Sequence, residues 1–388
     1  MKRFLTPCRG VAAMASLLVL GTPAPARAYD TTATHALATE AQALSAVAYW
    51  LRDGGRAFTD ATPYDGGAAI TAGRAGTGGA DPDGRAGLIA GIAHAGGPAA
   101  TSRNVNLPKT TGKAFFVAAD DRPHWCAATS VRSDYGNLVA TAGHCVYDTL
   151  SGAATLRKWV FVPGSYQGRT PWGVYAGKQA FTHFDFATYG DVDRDYAFVS
   201  VYNGLTPSRV RLSTRAQVAA FTGPKYKLRT GYAGIRLTDA GRLGDRVGGQ
   251  GLAYNLRVGT PVAVIGYPAG ATVHTPARAS ATPSARVARS DILARSYGSP
   301  FAAQDLALKA DELVAIRTAA PSASGSSWLA AYRSSRGLGY LNGLTVGVSR
   351  TGGRAGTSFS PYFDGELLGV YDAARHQWTG SLSSPNVS

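Results

Sequence analysis

Short runs of β-branched, aromatic and aliphatic residues, each interrupted within a few positions by Gly, Pro, Asn or Asp, recur along most of this chain. The clearest are residues 113–118, 138–142, 159–163, 196–201, 262–267 and 344–348. Runs this short with such boundaries predict strands, and the long connections between them predict sheets closed on themselves. Helical periodicity is confined to the two ends. Across residues 29–60 alanines are spaced by Leu44, Val47, Tyr49, Trp50 and Leu51, and across 365–375 the residues Leu367, Leu368 and Tyr371 fall on one face. Residues 66–100 are mostly Gly, Ala, Asp and Arg with few large apolar side chains, the composition of a flexible linker. A boundary is expected near Arg103, with residues 29–104 forming an N-terminal extension too short to fold alone.

Composition sharpens this into a fold class. The 388 residues are 45% hydrophobic, enough at about 150 residues per domain for two domains or a double-barrel unit. With Gly 48 and Pro 20 the chain is too rich in both for a helical bundle, and 16% charge is low for a coiled coil. An all-β architecture is expected. The formal charge is +15, nearly all of its positive part arginine.

Some of that charge lies at the start of the chain. Lys2, Arg3 and Arg9 precede an apolar stretch at 11–20, followed by Pro23, Pro25 and Ala26-Arg27-Ala28, so residues 1–28 read as a secretory signal peptide. The stretch is too short to span a bilayer, and no later segment approaches about 18 uninterrupted apolar residues. A secreted, extracellular protein without a membrane span is therefore expected. Removing the four basic residues and Cys8 of that segment from +15 leaves +11 and two cysteines, Cys126 and Cys145, in an oxidising space. One disulfide is the economical reading. The extension carries five Arg against seven Asp or Glu, so a slightly acidic leader precedes a body of +13. A pro-segment docked on the body and a loosely ordered extension both fit that pattern.

The sharpest chemical signal is Val139-Ala140-Thr141-Ala142-Gly143-His144-Cys145. A small-residue segment leaving a strand delivers an imidazole beside a half-cystine, the fixed placement that a general base requires. The histidines at 35, 94, 124, 183, 274 and 376 lie in no comparable motif and are read as structural or surface residues. Thr-Ala-Gly-His-Cys with an upstream Cys resembles the histidine motif of the chymotrypsin-type serine peptidases. The segment around Asp195, Asp193-Arg194-Asp195-Tyr196-Ala197-Phe198-Val199, is similar to that family's aspartate segment. Ser322-Ala323-Ser324-Gly325-Ser326-Ser327-Trp328-Leu329 resembles its nucleophile segment, in the version found in secreted actinobacterial trypsin-like, glutamyl endopeptidase-like enzymes. The likeness extends over residues 106–374, and stretches near 205–236 and 275–310 stand out as insertions.

What the resemblance implies is specific. The fold would be two packed antiparallel six-stranded-type β-barrels with a short C-terminal helix, barrel one at about 105–235 and barrel two at about 236–388. His144, Asp195 and Ser324 would be catalytic, with the amides of Ser322 and Ser324 forming the oxyanion hole. Cys126 and Cys145 would be joined across the base of the histidine loop. Thr318, six residues before the nucleophile, would lie at the base of the specificity pocket, and its neutral side chain implies no strong preference for basic residues. Ser322 stands where the family has Gly, and Ser326-Ser327 replace Gly-Pro. Asp191 and Asp193 are expected to be solvated loop acids, and Ser326 and Ser327 structural.

Other chemistries find no support. There is no His-Glu-x-x-His, no set of paired cysteine ligands and no Walker-type loop, so neither a metal nor a cofactor is expected. The Gly-rich runs at 337–343 and 352–356 lack the βαβ context of a dinucleotide site and read as turns. The arginines are dispersed, which argues against nucleic acid and leaves attraction to an anionic cell-wall surface. Two functions remain: a monomeric serine endopeptidase acting on protein or peptide substrates, or a catalytically silent relative serving as an extracellular binding module.

Overall fold

The computed structural model describes residues 31–66, 70, 73–74, 79–93, 107–149, 154–268, 292–318, 322–349 and 356–382. Six strands close into an antiparallel barrel. Thr111–Val117 pairs with Pro123–Val131 and Arg157–Pro163, Leu138–Thr141 links Pro123–Val131 to Ala197–Val201, and Tyr175–His183 joins Ala197–Val201 back to Arg157–Pro163. Most positions of these strands are buried on both faces, which is why the apolar runs in them are continuous and not alternating. Ala114, Phe116, Cys126, Val139, Phe161 and Val199 fill one core. Their neighbours Phe115, Val117, Trp125, Val160, Val162 and Phe198 point the other way into a second.

Part of what covers that outer face is the N-terminal extension. Helix Glu40–Leu51 begins at a capping box in which Thr39 and Gln42 satisfy each other's backbone amides. It buries Ala43, Val47, Trp50 and Leu51 in the outer core. The Trp50 indole donates to the Lys158 carbonyl at 2.7 Å and stacks on Phe58. Thr32–Ala36 adds an antiparallel strand to Tyr175–His183, and Thr62–Pro63 lies parallel to Pro123–Val131. Two pieces of the linker-like stretch are sheet edges instead: Gly87–Ile89 on Gly251–Tyr254 and Gly73–Arg74 on Phe301–Asp305. A backbone ladder requires no large side chain, which is why composition there reads as linker.

The second half is built from two facing sheets. One runs Ala294–Gly298, Val262–Gly266, Ser327–Arg333, Leu338–Leu344, Gly251–Tyr254 and Gly87–Ile89; the other runs Gly347–Ser349, Gly356–Pro361, Ala310–Thr318, Phe301–Asp305 and Gly73–Arg74. Val262, Val264, Val314, Ile316, Trp328 and Tyr362 interdigitate between them. Ala294–Gly298 lies against Ala310–Thr318 and Leu338–Leu344 against Gly356–Pro361, so the sheets meet along both sides of this core. Residues 205–236 contribute to a small separate sheet of Gly204–Leu212, Tyr232–Gly241 and Lys225–Lys227, with helix Arg215–Ala220 in one connection. The run at 344–348 is not one strand, because the backbone of Thr345 turns aside to bond Gly325 and Ser326. Helix Gly365–Arg375, N-capped by Asp364, returns to the first barrel, where Tyr371 packs edge-on against Phe198.

Because Trp50 is fully buried between the extension and the barrel, Trp50→Ala should cost about 3–5 kcal/mol of stability, the range for deleting a large buried aromatic side chain. Urea unfolding of the whole chain measures it. A variant as stable as the wild type would mean that the extension is not part of the cooperative core.

Candidate active site

His144 sits in the turn Gly143–Cys145 that follows strand Leu138–Thr141. Gly143 is required there, since a Cβ at this position would meet the Phe186 ring at 2.7 Å and an Asp195 carboxylate oxygen at 2.9 Å. That closeness lets Asp195 hold the histidine at two points. Its Oδ1 accepts the His144 backbone amide at 2.8 Å, and its Oδ2 accepts from Nδ1 at 2.6 Å. A carboxylate can only accept, so Nδ1 carries a proton, and in the neutral form of the ring this leaves the lone pair at Nε2. His144 is 8% exposed and Asp195 6%. Nε2 is itself buried and has no hydrogen-bond partner among the described residues.

The turn is anchored from behind. Cys145 is joined to Cys126 with Cα atoms 6.1 Å apart, and its carbonyl accepts from the Trp159 indole at 3.0 Å. One residue along from Cys126, the Ala127 amide donates to the carbonyl of Ser324 at 2.8 Å. The loop carrying Ser324 is thereby tied to the strand that is stapled to the histidine turn. Its other ties run to Tyr267, whose carbonyl accepts from Ala323 at 2.8 Å, and to Thr345, whose carbonyl accepts from Gly325 at 2.7 Å. Gly325 has φ +79°, and a Cβ there would overlap the Ala127 carbonyl, so only glycine fits after Ser324.

The remaining serines of this loop are hydrogen-bonded structurally. Ser326 Oγ donates to the Ala323 carbonyl at 2.6 Å and Ser327 Oγ to that of Ile265 at 3.2 Å. Ser322 Oγ lies 3.2 Å from Thr345 Oγ1. Thr318 ends strand Ala310–Thr318 with its hydroxyl buried and unpartnered among the described residues.

Two residues beside Asp195 correct the expectation of solvated loop acids. Asp193 is buried and accepts the amides of Asp311 and Glu312 at 2.8 and 3.1 Å. Burial pushes its carboxyl up to about 7 against the pull of those amides. Asp191 is half-buried and caps the amide of Asp193 at 2.9 Å. Between them and the site, Arg194 pairs with Glu312 at 2.6 Å and Glu366 at 2.5 Å. Local sequence carries no sign of this network, because its partners lie more than a hundred residues away.

Of the other histidines, His35 stacks on Tyr147 and His124 bonds Asp120 and Thr62. His94 and His274 lie outside the described residues. His183 accepts the Asp185 amide at Nδ1, and burial holds it below its ordinary pKa of 6.5. Cys126, His144 and Cys145 cluster closely, but the two sulfurs are bonded to each other and do not form a metal-ligand set.

No protein-family model matches the chain, and no curated protein sequence matches it. Among solved structures, a thermostable serine protease from an extremophilic microorganism aligns over 71% of this chain and 100% of its own at 22% identity and a TM-score of 0.50. The protease Anisep from Arthrobacter nicotinovorans aligns over 70% of this chain and 98% of its own at 21% identity and a TM-score of 0.49. A Glu endopeptidase aligns over 74% and 98% at 14% identity and 0.44. The closed barrel, the facing sheets and the C-terminal helix thus form a trypsin-like serine protease fold. No helix among the described residues is long and apolar enough to cross a membrane.

Two outcomes follow from this geometry. Peptide mapping without reductant should recover Cys126 and Cys145 as one linked pair, and replacing both by Ala should lower stability by about 3 kcal/mol, as expected for opening a loop of this size. Folded His183 resists protonation while the unfolded chain titrates near 6.5. The unfolded state therefore binds more protons below that pH, and stability should fall as the solution is acidified from neutrality through 6. Comparing urea midpoints of wild type and His183→Gln at pH 7.5 and pH 5.5 checks it, the variant being the less pH-sensitive.

Proposed function

We propose that this protein is a secreted serine endopeptidase whose catalytic residues are His144, Asp195 and Ser324. The observation that carries the reading is the two-point hold of Asp195 on His144, which selects the tautomer with a free lone pair at Nε2, beside a Ser-Gly turn tied to the same disulfide-anchored strand. In this scheme Ser324 Oγ attacks the peptide carbonyl carbon as His144 Nε2 takes its proton. Asp195 stabilises the resulting imidazolium, and the amides of Ser324 and Ser322 hold the oxyanion. Collapse breaks the C–N bond, with the Nε2 proton leaving on the amine. Water then repeats the sequence to free the acid and restore Ser324, so the cycle is complete without a cofactor.

Thr318 offers a buried hydroxyl and no charge at the base of the pocket, which favours neutral or apolar side chains over Lys and Arg. After export the net charge of +11 draws the protein toward anionic cell-wall polymers. The competing reading, a silent peptidase-fold binder, is favoured by one observation, the absence of a hydrogen bond to His144 Nε2 among the described residues.

A fluorophosphonate probe separates the two readings, because it phosphonylates only an activated serine and expels fluoride. Wild type should label, even if slowly. Ser324→Ala should not, and Asp195→Asn should label about ten-thousandfold more slowly, the size of loss when such a carboxylate is amidated. A folded wild type that never labels would favour the binding module. Peptide-library cleavage concentrated after Arg or Lys would overturn the reading of Thr318.

A further inference from the structure

The insertion at 204–241 carries seven Arg or Lys and a single acid, Asp239, a net +6 that is more than half of the +11 left after export. All seven basic residues are exposed. Charges that look scattered along the chain are gathered by the sheet. Residues opposite each other in an antiparallel pair share a face, and the register sets Arg209 opposite Ile235 and both Arg211 and Tyr226 opposite Ala233. Arg209, Arg211, Tyr226 and Ile235 therefore stand on one face. That face forms one wall of a groove of about 610 Å³, whose other walls come from the barrel loop at 166–171 and from the end of the extension's helix at 51–55. None of the lining residues is acidic. On the barrel's wall the Arg169 amide donates to the Tyr166 carbonyl at 2.9 Å across Gln167 (φ +49°) and Gly168 (φ +69°), so the two side chains leave a tight turn as neighbours. The turn is seated on the extension, since a Cβ on Gly168 would stand 2.8 Å from Thr59. The Arg169 guanidinium lies 5.9 Å from the centre of the Tyr166 ring, and on the insertion's wall Arg209 lies 5.9 Å from that of Tyr226. Tyr226 in turn rests against Gly54, where a Cβ would meet its ring at 3.5 Å. Neither arginine has an ion pair among the described residues.

We propose that this groove is a binding site for a phosphodiester-linked cell-wall polymer, held by Arg169 and Arg209 and continued along the sheet by Arg211. The inference rests on the attraction of the exported chain to anionic wall polymers and is independent of whether Ser324 reacts. A guanidinium laid against an aromatic ring keeps its N–H edge free, and that fork matches two oxygens of a phosphate. Two such forks on separate elements suit an anion that repeats along a chain better than one small ion. The tyrosine rings and Ile235 between them offer apolar surface to the sugar or polyol carbons that link successive phosphates. An acidic peptide fits less well. The edge strand Gly204–Leu212 carries Pro207, Arg209 and Arg211, and proline and charge on an edge discourage the addition of a further strand. Nucleic acid is disfavoured because stacked bases need open aromatic faces, whereas Tyr226 is already contacted by Arg209 and Gly54.

Fluorescence anisotropy of labelled poly(glycerol phosphate) with the whole chain, at two salt concentrations, tests this. Arg169→Ala and Arg209→Ala should each weaken binding about tenfold or more, as for losing a charged hydrogen-bond pair. Each should also flatten the salt dependence by about one counterion. Arg257→Ala and Arg336→Ala remove the same charge from exposed positions elsewhere and should have far smaller effects. An equal loss from these two would leave only the general attraction of a basic protein and overturn the site, as would no binding by the wild type. Phenylglyoxal, which modifies accessible guanidiniums, gives a readout without mutation: the polymer should protect Arg169 and Arg209 and leave Arg257 reactive, and equal reactivity of all three with and without polymer would again overturn the site. Duplex DNA or polyglutamate at matched charge should bind more weakly. If either binds as tightly with the same dependence on Arg169 and Arg209, the groove belongs to nucleic acid or to acidic protein and the wall polymer is excluded. Fluorophosphonate labelling of Ser324 should be the same in all four variants, so failure of the peptidase reading and failure of this site are read separately.

Discussion

Every feature of the site depends on one carboxylate. Asp195 commits one oxygen to the imidazole of His144 and the other to the backbone amide of the same residue, so ring and main chain are located by a single rigid group. Charge-assisted hydrogen bonds of this kind are strong when little water competes, and both residues are buried. The carboxylate is itself positioned by the two residues before it. Asp193 accepts amides from the start of strand Ala310–Thr318, and Arg194 spans from Glu312 to Glu366 at the start of the C-terminal helix. Three consecutive residues thus couple the histidine to the packing of the two halves, and a shift of one half against the other would be felt at Asp195.

The extension packs against the barrel in two places. Its helix and first strand complete the outer face of the barrel, whose outward apolar side chains include Phe115, Val160 and Val162. Farther along, the same chain lies on His144 at Gly66.

The serine-rich loop at 322–327 shows how buried hydroxyls are accommodated. Ser326 occupies a space so tight that a Cβ on Gly266 would overlap its hydroxyl, and it satisfies itself by donating to the Ala323 carbonyl. Ser327 does the same toward Ile265, and Ser322 is paired with Thr345. The hydroxyls stay buried because each finds an oxygen within reach; unsatisfied, each would cost on the order of 1–3 kcal/mol. At Gly325 no such exchange is possible, since the space beyond its Cα is filled by the Ala127 carbonyl.

Local sequence determined the parts of this protein whose physics is local. The apolar runs at 113–118, 138–142, 159–163, 196–201 and 262–267 became strands because β-branched and aromatic residues bounded by turn formers have few other stable states. Residues 365–375 became the helix that their period and the Asp364 cap specify. Gly143 and Gly325 marked their turns by the absence of a side chain. Tertiary structure alone decided the rest. That Asp193 is a buried acceptor depends on amides more than a hundred residues away, and that a Gly/Ala-rich stretch supplies sheet edges depends on ladders whose partners its composition does not name. That Gly66 rests on His144 depends on a path set by Trp50 and Pro63 in two different environments. Contacts between distant residues are selected by the packing of the whole core, and no short window of sequence contains both partners.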